Sequence, residues 1–334
     1  MNKMIVITTV YPATQSVKKW ADMVGWKLIV VGDRKTPADW HCPQAMYLSA
    51  ADQQTARFRI MRNLPWNHYA RKLVGYLAAM EQDADIILDT DDDNMPKIDW
   101  SLPEFNGRYP MTSPKRGFVN VYSYFTNQHI WPRGFPLNRV RDPSVHVSDD
   151  TMSFASVRIG VWQGLADGDP DVDAVYRMTV NAPCFFDNKP PIVLNTGTVS
   201  PFNSQNTVFL KPLFPLLYLP AFVTFRSTDI IRSLVAQPIL WSAGYFLGFT
   251  GATVVQHRND HHYLSDFESE IPCYLYVEKI LDIVAGAVSS RFSIENNLVN
   301  AYDSLIRHHL IPECEMNLLL AWIEDIQNIA DNRP

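Results

Sequence analysis

Cysteine is scarce, with four residues in 334, at Cys42, Cys184, Cys273 and Cys314. None stands at the close, paired spacing that zinc sites and redox motifs need. That excludes both classes and predicts free thiols in a reducing compartment. Runs of basic charge are missing too. Twenty-nine Lys and Arg against thirty-five Asp and Glu leave a net charge of −6 without a basic tail, so nucleic acid is not expected as a partner. No apolar stretch is both long and unbroken. Residues 208–225 are interrupted by Lys211, Pro212, Pro215 and Pro220, and residues 233–256 by Gln237, Pro238, Ser242, Gly244, Gly248 and Gly251. Both read as protein interior, with no transmembrane segment. The first residues lack the apolar core of a signal peptide, and no Asn-x-Ser/Thr sequon occurs; a cytoplasmic protein is expected. No Gly-x-Gly-x-x-Gly follows the first strand pattern, which argues against a dinucleotide fold.

What is present begins with a core, since 47% of the residues are hydrophobic. Residues 4–10 have a strand pattern, 17–24 helical spacing, and 27–31 a second strand ending at Gly32-Asp33, which together predict a β-α-β opening. An acid after the second strand suits ribose hydroxyls, or else a loop or helix cap, so Asp33 is a candidate. Pro65 suits a first helical turn, and Trp66, Tyr69, Leu73, Leu77 and Met80 recur at helical spacing. Arg71 and Lys72 on that helix either reach bound phosphates or form an exposed basic pair.

The chain then passes from Ile86-Ile87-Leu88 into Asp89-Thr90-Asp91-Asp92-Asp93-Asn94. Four carboxylates within five residues raise one another's proton affinity unless a cation neutralises them. Mg²⁺ or Mn²⁺ takes one or two carboxylates and completes its shell with phosphates and water. A buried strand ending in such a cluster predicts a metal-diphosphate site at the carboxyl edge of a sheet, although Asp-rich runs also make solvated turns. Residues 100–143 predict irregular loops and short strands, with a boundary near 115. Residues 161–173 read as a second acidic loop, in which Asp169 and Asp171 are rival candidates. Residues 192–194 form a strand, and the polar set Asn203 to Thr207 suits sugar hydroxyls or turns. Ser227 or Thr228 predicts a helix cap that places Asp229 in the first turn, where the positive helix end favours a carboxylate. From about 271 the chain reads as helical, with a packing stripe at Met316, Leu319, Leu320, Ile323 and Ile326.

These stretches resemble the STELLO-type glycosyltransferase-like family and, more distantly, the reversibly glycosylated polypeptides, or UDP-arabinopyranose mutases. The resemblance is carried by residues 31–37, Pro65-Trp66-Asn67-His68-Tyr69-Ala70-Arg71-Lys72, Asp89 to Asn94, residues 161–177, Pro201 to Thr207 and residues 224–241. It runs from about residue 4 to 270. For plant STELLO proteins it concerns the region after their membrane anchor.

The resemblance implies a GT-A type nucleotide-diphosphosugar transferase fold, an α/β architecture whose mixed, mainly parallel sheet is flanked by helices, with a helical C-terminal extension. Residues 1–115 would be the nucleotide-sugar half, 116–270 the acceptor and catalytic half, and 271–334 the helical region. It also implies a metal-dependent, inverting glycosyltransferase using Mn²⁺ or Mg²⁺, moving a sugar from a nucleoside-diphosphate sugar, UDP-linked, to a hydroxyl of a glycan or glycoconjugate. By position, Asp91 to Asp93 would be the Asp-x-Asp element, with metal on Asp91, Asp93 and His261. Thr8, Asp33, Arg71, Asp91, Asp92 and Arg258 would meet the donor, and Asp229 would be the base. Gln237 and Trp241 stand where processive relatives have an acceptor motif, but Leu240 replaces the Arg before that Trp. A sugar-nucleotide mutase and a non-catalytic scaffold are the competing functions. Nucleotidyl transfer lacks its Gly-rich phosphate loop.

Overall fold

The computed structural model describes residues 1–114, 117–148, 152–257 and 261–331. Strand β1 (Lys3–Thr8) is buried through its apolar middle. Helix α1 (Gln15–Ala21) starts where the Thr14 hydroxyl accepts the Val17 amide, and it buries Val17 and Trp20 against the sheet. Strands β2 (Trp26–Val31) and β3 (Ala45–Leu48) follow, then α2 (Ala50–Thr55), opened by a Ser49/Asp52 capping box. The helix expected from Pro65 begins later. Asn67 takes a left-handed φ of 52°, His68 is extended, and a 3₁₀ turn (Tyr69–Arg71) leads into α3 (Lys72–Glu81). All of residues 72–80 are buried. Gly75 permits this, because a Cβ there would collide with Val6 and Val31 of the sheet. A helix packed so closely has no solvated face, so Arg71 and Lys72 are not an exposed pair: they are 1% and 0% exposed.

Strand β4 (Ile86–Thr90) carries the first acid of the cluster. After it come β5 (Asn94–Pro96), β6 (Asn106–Met111), β7 (Gly117–Phe118), α4 (Tyr122–Phe125), β8 (Ser153–Gly168) and α5 (Ala174–Thr179). Then follow β9 (Ile192–Val193), β10 (Thr198–Val199), β11 (Asn206–Leu210), α6 (Thr228–Ser242) and β12 (Phe246–Gln256). The expected acidic loop at 161–173 is strand as far as Gly168. Its residues 159–167 are buried in succession, and burial on both faces removes the alternation that marks a half-exposed strand.

Ten strands form one mixed sheet in the order β3-β2-β1-β4-β11-β8-β6-β9-β12-β5. β1 runs parallel to β2 and β4, so Thr8, Val31 and Thr90 end at the same edge. β11 is antiparallel to β4 with Asn206 opposite Thr90, which brings the start of β11 to that edge. β8 and β12 finish there as well, Gly168 opposite Gln256. This is the GT-A-like arrangement, a large mixed sheet with helices on its faces and a helical C-terminal region. Strand direction alone gathers chain segments 160 residues and more apart.

Helices α7 (Tyr263–Ala287), α8 (Ile294–Arg307) and α9 (Glu315–Asp331) complete the chain. No described helix is long and apolar enough to cross a membrane. The C-terminal helices are tied down by buried carboxylates. Glu315 accepts the Ala221 and Phe222 amides at 3.0 and 2.8 Å. Asp325 accepts the Arg59 and Ile60 amides at 2.7 and 3.0 Å, on the 3₁₀ turn Arg59–Arg62.

Candidate active-site cleft

The shared sheet edge is the floor of a cleft of about 350 Å³. Thr8, Asp33, Arg71, Asp91, Asp92, Asp93, Asp229 and His261 all line it. Of the residues expected from the sequence, Arg258 lies outside the described residues.

At the acidic end, the four carboxylates separate by role. Asp89, fully buried, is held at 2.7 Å by both Lys72 and Arg232, inside the fold and away from the cleft. Asp91 accepts from Lys72 at 2.7 Å and from the Tyr69 hydroxyl at 2.9 Å. Burial pushes its carboxyl up to about 6, the Lys72 charge opposing and the Asp93 charge assisting. Asp92 accepts the Thr9 hydroxyl at 2.5 Å, and burial likewise raises it to about 6 against that hydrogen bond. Asp93 accepts from the Gln256 and Asn94 amides at 3.1 and 3.3 Å. Part of the neutralisation therefore comes from within the chain, since two buried cations face four carboxylates. That count of cations and carboxylates is of the described residues, which exclude Arg258.

Among the described residues, no three His, Cys, Asp or Glu side chains converge as a ready-made cage for a metal. The chemistry of the donor set still suits Mg²⁺ or Mn²⁺. Asp91 and Asp93 are hard oxygen ligands on one cleft, close enough for the second to raise the proton affinity of the first. Such ions need only one or two carboxylates when phosphates and water supply the rest. His261 stands at the rim with its Nδ1 3.0 Å from Asp266.

The other wall holds Asp33 and Arg71. Asp33 accepts the Arg34 amide at 2.6 Å and the His68 amide at 3.2 Å, which fixes its carboxylate beside the ends of β1 and β2. The Arg71 guanidinium lies 3.8 Å from the Trp66 ring centroid and donates through Nε to the Gln53 amide oxygen at 3.0 Å. Among the described residues, no carboxylate lies within ion-pair distance of it. Burial lowers Arg71 to about 10, with the Asp33 charge working the other way, so it stays cationic near neutrality.

Asp229 occupies the first turn of α6. The expected side-chain cap is absent. The Ser227 hydroxyl bonds Thr224 instead, and a 3₁₀ turn (Phe225–Ser227) feeds the helix. What holds Asp229 is Arg133, which reaches its two oxygens at 3.0 and 2.8 Å and grips Asp171 at 2.9 and 2.8 Å. Asn203 also bonds Asp171, at 3.0 Å. Reading the sequence missed Arg133, whose only signal is a lone charge within Trp131-Pro132-Arg133-Gly134-Phe135. It also missed Gln256, which bonds Gln205 of the expected polar set beside the cluster. Gln237 turns into the core, accepting the Ser200 amide at 3.3 Å, and neither it nor Trp241 lines the cleft.

A family model described as STELLO glycosyltransferases matches residues 226–334. Among curated proteins, the chain is similar to "Probable glycosyltransferase STELLO2" of Arabidopsis thaliana. The identity is 28% over 351 residues, covering 99% of this chain and 45% of that protein. It is similar to "Probable glycosyltransferase STELLO1" of the same plant at 27% over 349 residues, with the same coverages. The chain thus spans less than half the length of these relatives. The STELLO-type resemblance read from motifs between residues 4 and 270 holds, and it extends through α7, α8 and α9 as well.

Proposed function

We propose that this relative of the STELLO glycosyltransferases moves a sugar from a nucleoside-diphosphate sugar to a hydroxyl acceptor, with inversion at the anomeric carbon. One observation carries the reading. A single cleft is lined both by hard-oxygen ligands and by a buried guanidinium that has no carboxylate partner among the described residues. A metal-bound diphosphate satisfies both, because its oxygens complete the metal shell and supply an anion for Arg71. Asp33, fixed at the end of β2, is placed for the ribose. Thr8 and Asp92 line the same cleft.

Held by Asp91 and Asp93, with His261 at the rim, Mn²⁺ or Mg²⁺ would stabilise the negative charge that develops on the departing diphosphate. Arg71 adds a fixed positive charge on that side. Asp229 takes the proton as the acceptor oxygen bonds to the anomeric carbon and the bond from that carbon to phosphate oxygen breaks, the electron pair leaving with the diphosphate. UDP is the nucleotide to try first, and a glycan or glycoconjugate the acceptor.

A thermal-shift panel of UDP-sugars with and without Mn²⁺ tests the reading, followed by calorimetry on Asp93→Ala. The folded variant should lose its metal-dependent donor affinity. Unchanged, metal-dependent affinity would remove Asp93 from the site. If donor alone returns as an altered sugar nucleotide, the reaction is a mutase's instead.

A further inference from the structure

Arg133 reaches the cleft on a turn in which the Phe135 amide donates to the Pro132 carbonyl at 3.1 Å. Gly134, at φ 82°, lets this turn press against α6, since a Cβ there would collide with Ile230. A guanidinium offers five N–H donors. Here all five are taken inside the protein. Nε and Nη2 donate to the Asp171 carboxylate at 2.9 and 2.8 Å. Nη1 and Nη2 donate to the Asp229 carboxylate at 3.0 and 2.8 Å. The remaining Nη1 hydrogen goes to the Arg226 carbonyl. The Arg133 amide also donates to the Asp171 carbonyl at 2.9 Å. Although it lines the cleft, Arg133 has no donor left for a substrate phosphate, whereas Arg71 keeps one N–H beyond its contacts with Gln53, Leu64 and Met61.

We infer that Arg133 is a positioning residue for the base: it holds Asp229 and Asp171 side by side, with Asp229 turned so that it can take the acceptor's proton. This rests on the glycosyl-transfer reading above. Two neighbouring carboxylates without a cation between them share a proton, and the pair then titrates as a unit with one member's proton affinity raised. A base in that state is protonated in the pH range where it must act. Several groups surround Asp229: Arg133 and Asp171 from loops, Arg226 from the 3₁₀ turn, Arg232 further along α6, Tyr69 before α3 and Cys273 on α7. Arg133 is the one bonded to both carboxylates through a planar fork, and a lysine's point charge does not reproduce that geometry.

The test compares wild type, Arg133→Gln and Arg133→Lys as full chains, using UDP-glucose with Mn²⁺ and water as the acceptor. Calorimetry gives donor affinity, and initial rates across pH give kcat and its acid limb. For Arg133→Gln, donor affinity should stay within about threefold, because Arg133 does not meet the donor, while kcat falls about a hundredfold. Its acid limb should move up by about one pH unit or more. Arg133→Lys should leave the limb near that of wild type and recover about tenfold of the lost rate. Wild-type kcat and an unmoved limb in Arg133→Gln would overturn the inference. So would a large loss of donor affinity at unchanged kcat, which makes Arg133 a donor ligand. If Arg133→Gln does not fold, Arg133→Lys decides alone, since an unchanged kcat there overturns the positioning role. A wild type that neither binds nor hydrolyses the nucleotide sugars tested fails at the earlier step, and the glycosyl-transfer reading falls with the inference.

Discussion

The two ends of the cleft treat negative charge in opposite ways. At the Asp229 end, one guanidinium satisfies two carboxylates and keeps no hydrogen free. At the Asp91–Asp93 end, Lys72 is shared between Asp89 and Asp91, and Asp92 is met by a hydroxyl. The first end is closed in its hydrogen bonds, since every N–H of Arg133 is used, although its charge count of one cation to two carboxylates matches that of the other end. The second carries carboxyls pushed up to about 6, and a group so shifted stores free energy that a bound cation releases. An arrangement finished by its own residues suits proton transfer at a fixed position. One that carries raised carboxyls suits a ligand that brings positive charge with it.

The largest effect should come from Lys72, the cation shared by Asp89 and Asp91. Lys72→Met leaves Asp91 without its cation and Asp89 with Arg232 only, and stability should drop by about 3–5 kcal/mol in urea unfolding, the usual consequence of breaking a buried ion pair. A loss below about 1 kcal/mol would mean that the cluster is not under the strain described. Next comes Asp229→Asn, which keeps shape but cannot accept the proton. Donor binding should persist while turnover falls at least about a hundredfold, or about 2.7 kcal/mol in barrier. Near-normal turnover moves the base elsewhere, Asp171 first.

The smallest effect, and the most direct probe of the contrast, is Asp92→Asn in metal-free protein. The folded carboxyl is raised from 3.8 to about 6, so its ionised form costs stability above pH 6, and the cost fades as pH falls toward 3.8. The variant should therefore be more stable than wild type at pH 7.5 by about 1 kcal/mol, after allowance for a weakened Thr9 bond, and no more stable at pH 4. Thermal melts at the two pH values read this out. Asp171→Asn, at the closed end, should lose stability under the same conditions, and a gain in both variants would erase the distinction between the ends.

Much of this was legible because it depends on where strands stop. Asp33, Asp91, Asp92 and Asp93 follow apolar β-branched runs, and parallel strands bring their ends together whatever the rest of the chain does. What the sequence concealed depends on partners far away along it. Lys72 was legible only as a phosphate contact or a solvent-facing charge, because its counter-charges, on β4 and just past it, come 17 and 19 residues later. Arg133 was silent because its partners are 38 and 96 residues away. The end of β8 from Val161 passed for a loop because Gly164 and Gly168 imitate turn signals. At Gly160 and Gly164 an added side chain would instead strike Leu213 and Asn206. The later start of α3 turned on Asn67, whose left-handed backbone no periodicity announces.

The carboxylate of Asp325 on α9 has a consequence for how the protein is made. It joins amides 266 residues earlier in the chain, on the 3₁₀ turn whose Met61 sulfur, with the nearby Leu64 carbonyl, brackets Arg71 at 3.6 and 3.4 Å. On a ribosome adding roughly 5–20 residues per second, the first hundred residues must wait many seconds before that brace exists. Contacts of such long range slow folding and leave early structure open to other partners. The wall that presents Arg71 is therefore encoded early and completed late, when α9 emerges to lock it.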